Sequence, residues 1–134
     1  MADEDLDIAE RYLEGLRLFN EEEFYECHDV LEEIWSECQG DEKSYLQGLI
    51  QAAIALFHFG NENYGGAKKL YESSLKRLDA YGDEFMGVQL ARFREDFRRC
   101  FAELIASTER YPTGIDLQDD LVPKLHFVEV SPEN

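Results

Sequence analysis

Apolar residues recur every three to four positions along most of the chain, a period that predicts helices rather than strands. The pattern divides into five helical segments, at about residues 5–19, 21–38, 42–59, 62–81 and 88–109. The links between them are short, so consecutive helices are expected to be antiparallel neighbours. Prolines and a glycine interrupt the pattern after Tyr111, and residues 111–134 are expected to form an irregular tail. The sequence therefore predicts one all-α domain, a compact bundle of about five antiparallel helices.

The second predicted helix contains FYECHDVLEEIWSEC, an apolar stripe that one histidine interrupts. Glu32 lies one helical turn after His28, and Trp35 follows three residues later, so the three side chains border the core together. Tyr25 and Glu21 extend the same row toward the start of the helix. Because a buried imidazole or carboxylate needs a polar partner, this row is expected to face other polar groups or water.

The third predicted helix, SYLQGLIQAAIALFHF, is apolar on nearly every side, which is typical of a helix surrounded by others. Its polar exceptions, Gln47, Gln51 and His58, project within about 40° of one another at about 100° per residue. A rise of about 1.5 Å per residue places His28 level with Gln51 and leaves His58 roughly 10 Å further along. The sequence therefore predicts a polar site between helices two and three, with His28, Glu32 and Gln51 as its tightest cluster.

The order of these motifs also resembles a known family. The motif H-x-x-x-E-x-x-W, at His28, Glu32 and Trp35, is followed by LQGLIQAAIALFHFGN and then by GGA. Over about residues 17–80 the sequence resembles a small prokaryotic family known as domain of unknown function 309, whose members have been labelled predicted metal-dependent hydrolases. The resemblance implies an all-helical fold and a metal site at the motif.

The residue types of the motif suit metal binding. A neutral imidazole and a carboxylate one helical turn apart can bind the same ion, so His28 and Glu32 are candidate ligands of one divalent metal ion. His58, Gln51 or Glu21 are candidates to complete the ligand set. Water at an open position of such an ion would be activated for hydrolysis. The other side chains expected to line the site are Trp35, Gln47 and Tyr25.

The metal hypothesis lacks support from established motifs. Residues 28–32 read H-D-V-L-E rather than the H-E-x-x-H of zinc peptidases, and the E-x-x-H pair of di-iron bundles is missing. Asp29 and Glu33 are the nearest further carboxylates, but a helical wheel turns both away from the row, which disfavours them as catalytic bases. The sequence therefore assigns no catalytic residue.

The alternative is a structural network. In it Glu32 accepts a hydrogen bond from His28, Trp35 donates its indole N–H to Gln47 or Gln51, and the network fixes the register of two helices. The protein would then be a non-enzymatic module that binds a small molecule or a partner, including a second copy of itself. An exposed apolar face on helix one or five would be the place for such self-association. The sequence leaves both interpretations open.

The net charge limits the kinds of partner that the protein is expected to bind. Thirty acidic against 13 basic residues give a net charge of −17, which argues against nucleic acid or an anionic membrane surface as partner. So strong an excess of acidic residues is typical of proteins from a high-salt cytoplasm, where salt screens the repulsion between them.

The cysteines and the apolar runs indicate the compartment. The three cysteines, Cys27, Cys38 and Cys100, lack C-x-x-C spacing and are interpreted as small buried hydrophobic residues in a reducing compartment. With no apolar run long enough to span a bilayer and an acidic first ten residues, a cytoplasmic protein is expected.

Overall fold

The structure is a computed structural model that describes residues 2–129 of the chain, with side chains from residue 7 onward. Its five α-helices are α1 (Ala2–Asn20), α2 (Phe24–Trp35), α3 (Gly40–Gly60), α4 (Tyr64–Leu78) and α5 (Leu90–Ala106). A short hairpin pairs β1 (Glu84–Phe85) with β2 (Val88–Gln89) in antiparallel orientation, and 3₁₀ turns occur at Asp79–Tyr81 and Asp119–Leu121. The predicted all-α class is confirmed. The last residues of the predicted tail, 130–134, lie outside the described part.

Several helix ends differ from the prediction: α2 begins at Phe24 rather than at residue 21, α4 ends at Leu78 rather than at 81, and α5 ends at Ala106 rather than at 109. Two further differences have a visible cause. The second helix was expected to reach Cys38 but ends at Trp35, where the amides of Ser36 and Glu37 bond to carbonyls of the last turn and close it. The fifth begins at Leu90 because the two residues before it pair with β1. None of the helices within residues 2–129 combines the length and the apolarity needed to cross a bilayer.

Helix α3 lies between its neighbours in the chain, with α2 packed on one side and α4 on the other. Its approach to α4 is close because Gly48 has no side chain: a Cβ there would lie 2.7 Å from Leu78 Cδ2. The buried Ser74 hydroxyl donates to the Gly48 carbonyl at 2.7 Å across the same contact. This close packing fixes which face of α3 meets α4, and it positions the groove described below.

The tail is irregular, as predicted, but it is anchored to the end of α1. The Asn20 side chain donates to the Leu125 carbonyl at 2.9 Å and accepts from the Leu125 amide at 2.7 Å. Lys124 Nζ donates to the Asn20 carbonyl at 2.8 Å. The tail also pairs with the hairpin, where the Gln89 amide donates to the His126 carbonyl at 2.9 Å and the Val128 amide donates to the Gly87 carbonyl at 2.8 Å, so its backbone polar groups find partners without a helix or a long strand.

Two buried tyrosines link α1, α3 and the hairpin. The Tyr12 hydroxyl lies 2.7 Å from the Tyr45 hydroxyl and donates to the carbonyl of Met86, in the hairpin turn, at 2.9 Å. A hydroxyl has a single hydrogen to donate, so Tyr45 must be the donor toward Tyr12. The chain of donation therefore runs from Tyr45 through Tyr12 to the hairpin.

This direction predicts unequal effects for two similar substitutions. Tyr12→Phe should lower the free energy of unfolding by about 1–3 kcal/mol, because it leaves the buried Tyr45 hydroxyl without an acceptor. Tyr45→Phe should lower it less, because Tyr12 can still donate to Met86 and no donor is stranded. Urea unfolding of both variants measures the difference. Equal losses, or a larger loss for Tyr45→Phe, would contradict the assigned direction.

Candidate functional site

His28 lies on α2 between two carboxylates. Its Nε2 is 3.3 Å from Glu32 Oε2, and its Nδ1 is 3.4 Å from Asp29 Oδ1 and 3.3 Å from the Tyr25 carbonyl oxygen. One ligand atom from His28, Asp29 and Glu32 lies within 4.8 Å of the others. The imidazole side chain is 19% exposed, whereas both carboxylate side chains are more than half exposed. The cluster therefore combines a mostly shielded nitrogen base with oxygen ligands at the surface.

An aromatic ring lies against the imidazole. The Tyr25 ring meets His28 edge to face with centroids 5.3 Å apart, and it lies 5.5 Å from the ring of Phe57 on α3. Through these contacts α3 supports the position of Tyr25 and, through Tyr25, that of the imidazole. The structure thus places Tyr25 beside His28, within the row that the sequence outlined.

Asp29 is the member of the cluster that sequence reasoning set aside. A helical wheel separates neighbouring residues by about 100°, which turned Asp29 away from the row. A helical wheel gives the direction of each Cβ but not the position of the end of the side chain. Here the Asp29 carboxylate lies close to His28 Nδ1 although its Cβ points elsewhere. The adjacent H-D pair was the signal available in the sequence.

Two donor atoms of the cluster have the spacing of neighbouring zinc ligands. A tetrahedral zinc ion with bonds of about 2.0–2.1 Å holds neighbouring nitrogen and oxygen ligands roughly 3.3 Å apart. The separation of 3.3 Å between His28 Nε2 and Glu32 Oε2 matches this spacing. Metal-binding histidines also donate their second ring N–H to a carboxylate or a backbone carbonyl, and His28 Nδ1 has Asp29 and the Tyr25 carbonyl within reach.

The two glutamines of α3 lie on its α4 side. Gln51 lines a cavity of about 390 Å³ with Ser73, Lys76 and Arg77. Gln47 lines a second cavity, of about 360 Å³, which also includes Arg77. Both glutamines therefore line cavities that include Arg77 of α4, whereas the sequence predicted a polar site between helices two and three.

Gln51 lines its cavity with residues of α4, not with His28 or Glu32. Among the described side chains no hydrogen bond joins Gln51 to either of the other two, and Gln51 Oε1 is shielded without any donor. The reason is the packing of α3: close contact at Gly48 places α4, not the histidine row of α2, against this face. A wheel predicts which residues share a face, but it does not predict which helix covers that face.

The remaining residues proposed for the site have other partners. His58 Nδ1 lies 3.3 Å from the side-chain nitrogen of Asn63, which caps α4. Glu21 forms an ion pair with Arg17 at 2.7 Å. Glu21 also borders a cavity of about 500 Å³ beside Leu13, whose 52% exposure leaves an apolar surface on α1. Self-association through this surface stays a prediction.

Trp35 does not take part in the predicted hydrogen-bond network. Its ring lies under Lys43, with Nζ 4.1 Å from the ring centroid, and it lines the same cavity as Gln47. No hydrogen bond from the Trp35 indole to Gln47 or Gln51 is formed within the described residues. A cation–π contact thus replaces the expected donor bond.

Cys27, adjacent to His28, is a packing residue. It is fully buried, and burial raises the pKa of its thiol from 9.0 to about 12. The thiol therefore stays protonated at neutral pH, whereas nucleophilic cysteines need a thiolate. This agrees with the interpretation of Cys27 as a small hydrophobic residue.

The family of the central segment follows from comparison with known proteins. Residues 12–70 match the family described as Domain of unknown function (DUF309). The match confirms the resemblance seen in the sequence, and the matched segment contains His28, Asp29 and Glu32. Helix α5 and the tail lie outside it.

Two curated relatives share parts of this chain. Uncharacterized protein YpuF of Bacillus subtilis (strain 168) is 42% identical over 59 residues, which are 43% of this chain and 34% of that protein. An uncharacterized protein of Aquifex aeolicus (strain VF5) is 33% identical over 87 residues, which are 64% of this chain and 26% of the relative. The chain therefore spans about a third of the length of one relative and about a quarter of the other.

Proposed function

We propose that this chain is a metal-dependent hydrolase that binds one divalent ion, zinc or a chemically similar ion, through His28 and Glu32. The observation that supports it is the spacing of the two ligand atoms, 3.3 Å, together with a hydrogen-bond acceptor at the other ring nitrogen of His28. A divalent ion held there would lower the pKa of a bound water toward neutrality, which is the chemistry that hydrolysis requires.

Each residue of the cluster has a distinct role in this proposal. His28 Nε2 and Glu32 Oε2 bind the ion, and the Tyr25 carbonyl and Asp29 hold the hydrogen on His28 Nδ1 and so fix the tautomer. Asp29 is also near enough to serve as a third ligand in place of that role. Because both carboxylates are more than half exposed, the site would admit a large or flexible substrate.

Calorimetric titration of the metal-free chain with zinc tests the binding step. We expect one site per chain and at least about a tenfold loss of affinity for His28→Ala and for Glu32→Gln, since each removes one of the ligands. Asp29→Asn should weaken binding by about 10- to 100-fold if the carboxylate orients the imidazole. Metal-dependent release of nitrophenol from ester and phosphate substrates tests the hydrolytic step.

Two matched variants separate a real site from attraction by a highly acidic surface. Glu26→Gln removes an exposed carboxylate from the same helix, and His58→Gln removes a histidine that lies beside Asn63. Both should bind zinc like the unchanged chain. If Glu26→Gln weakens binding as much as Glu32→Gln does, the ion is held by diffuse negative charge and the proposed site is wrong.

A further inference from the structure

We propose that the groove between α3 and α4 binds the phosphate group of a small phosphorylated molecule, through Lys76, Arg77, Ser73 and Gln51. This site is separate from the histidine cluster on α2 and does not depend on the proposed metal chemistry. The groove consists of the two cavities that share Arg77, one with Gln51 and one with Gln47 and Trp35.

The lining of the groove is basic in a chain that is strongly acidic. The first cavity is lined by Gln51, Ser73, Lys76 and Arg77, and the second adds Lys43. Neither lining contains a carboxylate, although 30 of the 134 residues are acidic. Cations and neutral hydrogen-bond donors are thus collected in one place, which is the composition of an anion site.

The cations of the groove are also free of ion pairs. Across the side chains that the structure describes, Lys43, Lys76 and Arg77 have no carboxylate within salt-bridge distance, and Arg77 instead donates to the Ser44 hydroxyl at 3.2 Å. Elsewhere the basic residues mostly pair, for example Arg11 with Glu37. Lys76 and Arg77, which line the same cavity, therefore remain available to a bound anion.

A cavity between α5 and the tail has a lining of mixed charge. It is lined by Arg92, Arg99 and Lys124 but also by Asp96 and Asp120, so its positive charges already face carboxylates. Arg99 lies 3.2 Å from Asp96 within it. A basic lining without acids is therefore not a general feature of the grooves of this chain.

The side chain of Gln51 supports the same ligand. Its Oε1 is buried without a donor, and no hydrogen bond to the Gln51 side chain is formed among the described residues, so its amide is free to bind a ligand in the cavity that it lines. The residues that line this cavity thus carry the amide of Gln51, the guanidinium of Arg77, the ammonium of Lys76 and the hydroxyl of Ser73. A phosphate has several oxygens that accept hydrogen bonds, and arginine, lysine and neutral donors in one site can each bind one or more of them.

Charge balance favours phosphate over carboxylate as the bound group. A phosphate monoester carries about −1.5 to −2 charges at neutral pH, which matches the two cations of the first cavity, whereas a carboxylate carries one. The first cavity of about 390 Å³ and the second of about 360 Å³ exceed what a phosphate alone needs. The rest of the ligand would therefore extend along the groove toward Lys43 and Trp35.

Titration of the metal-free full chain with sodium phosphate, at pH 7.5 and constant ionic strength, tests the proposal. Backbone amide NMR shifts locate the binding, and the fluorescence of Trp35, the only tryptophan, reports on the second cavity. We expect saturable shifts at Gln51 and at residues 73–77, and an affinity for phosphate at least about tenfold above that for acetate. Phosphate that moves none of these amides, or acetate that binds equally well, would overturn the proposal.

Charge-removing variants complete the test. Lys76→Gln and Arg77→Gln should each weaken phosphate binding at least about tenfold, since each removes one charge-assisted donor. Lys69→Gln is the matched control, because Lys69 is exposed on the same helix and lines neither cavity. It should bind phosphate within about twofold of the unchanged chain. Equal weakening in Lys69→Gln would show attraction by general charge only and would overturn the site, as would full binding in Lys76→Gln.

Discussion

Replacing Phe101 with alanine is expected to lower the free energy of unfolding by about 3–5 kcal/mol, the range for truncation of a buried phenylalanine. The Phe101 ring has no exposed surface and meets rings from three helices. It stacks on Tyr71 of α4 at 4.4 Å, and it meets Phe59 of α3 at 5.0 Å and Phe97 of its own helix at 5.1 Å, edge to face. Alanine would leave a cavity where these helices join, and urea unfolding followed by circular dichroism measures the loss.

The matched control is Phe127→Ala, which removes the same atoms from a ring that is 51% exposed. Its cost should stay below about 1 kcal/mol, because little apolar area returns to water. Since domains of this size are stable by only about 5–15 kcal/mol, Phe101→Ala should also unfold at a much lower temperature. Similar losses for both variants would mean that the aromatic cluster does not hold α5 against α3 and α4.

The helical fold was predictable because the same apolar period runs through each helix. In α5, Leu90, Phe93, Phe97, Phe101 and Leu104 recur at three- and four-residue steps, and all five are buried. The hairpin before α5 was not predicted. Its strands are two residues long, and its turn at Met86 and Gly87 has positive φ at both positions, which Met rarely adopts. The sequence there lacks the asparagine or aspartate that normally indicates such a turn.

The candidate site was predictable only as far as one helix determines it. His28 and Glu32 are one turn apart on α2, so their proximity follows from helix geometry alone. The partner of Gln51 depends instead on how α3 rotates between its neighbours, and the contact between Gly48 and Leu78 decides that. A periodic pattern carries no information about a contact between two particular residues on different helices, so the pairing of polar rows could not be derived from it.

The second large effect is a loss of stability at alkaline pH, which is expected because two thiols are buried in the folded chain. Burial raises the pKa of Cys27 from 9.0 to about 12, and burial, with a smaller contribution from the charge of Glu22, does the same for Cys100. In the unfolded chain both thiols ionise near pH 9, so above that pH unfolding releases two protons. Stability is therefore fully present below pH 9 and falls as the pH rises toward 12, by roughly 3 kcal/mol per pH unit for the two thiols together.

Urea unfolding at pH 7.5, 9 and 10 under reducing conditions measures this slope, and the double variant Cys27→Ala/Cys100→Ala supplies the comparison. The variant should be less stable at pH 7.5, because it loses two buried side chains, but its stability should fall less between pH 9 and 10. Tyr12, whose pKa burial raises from 10.0 to about 12, affects the slope mainly above that interval and is present in both proteins. Parallel slopes between pH 9 and 10 would mean that neither thiol is buried in the folded chain, and the packing of α2 and α5 described above would then be wrong.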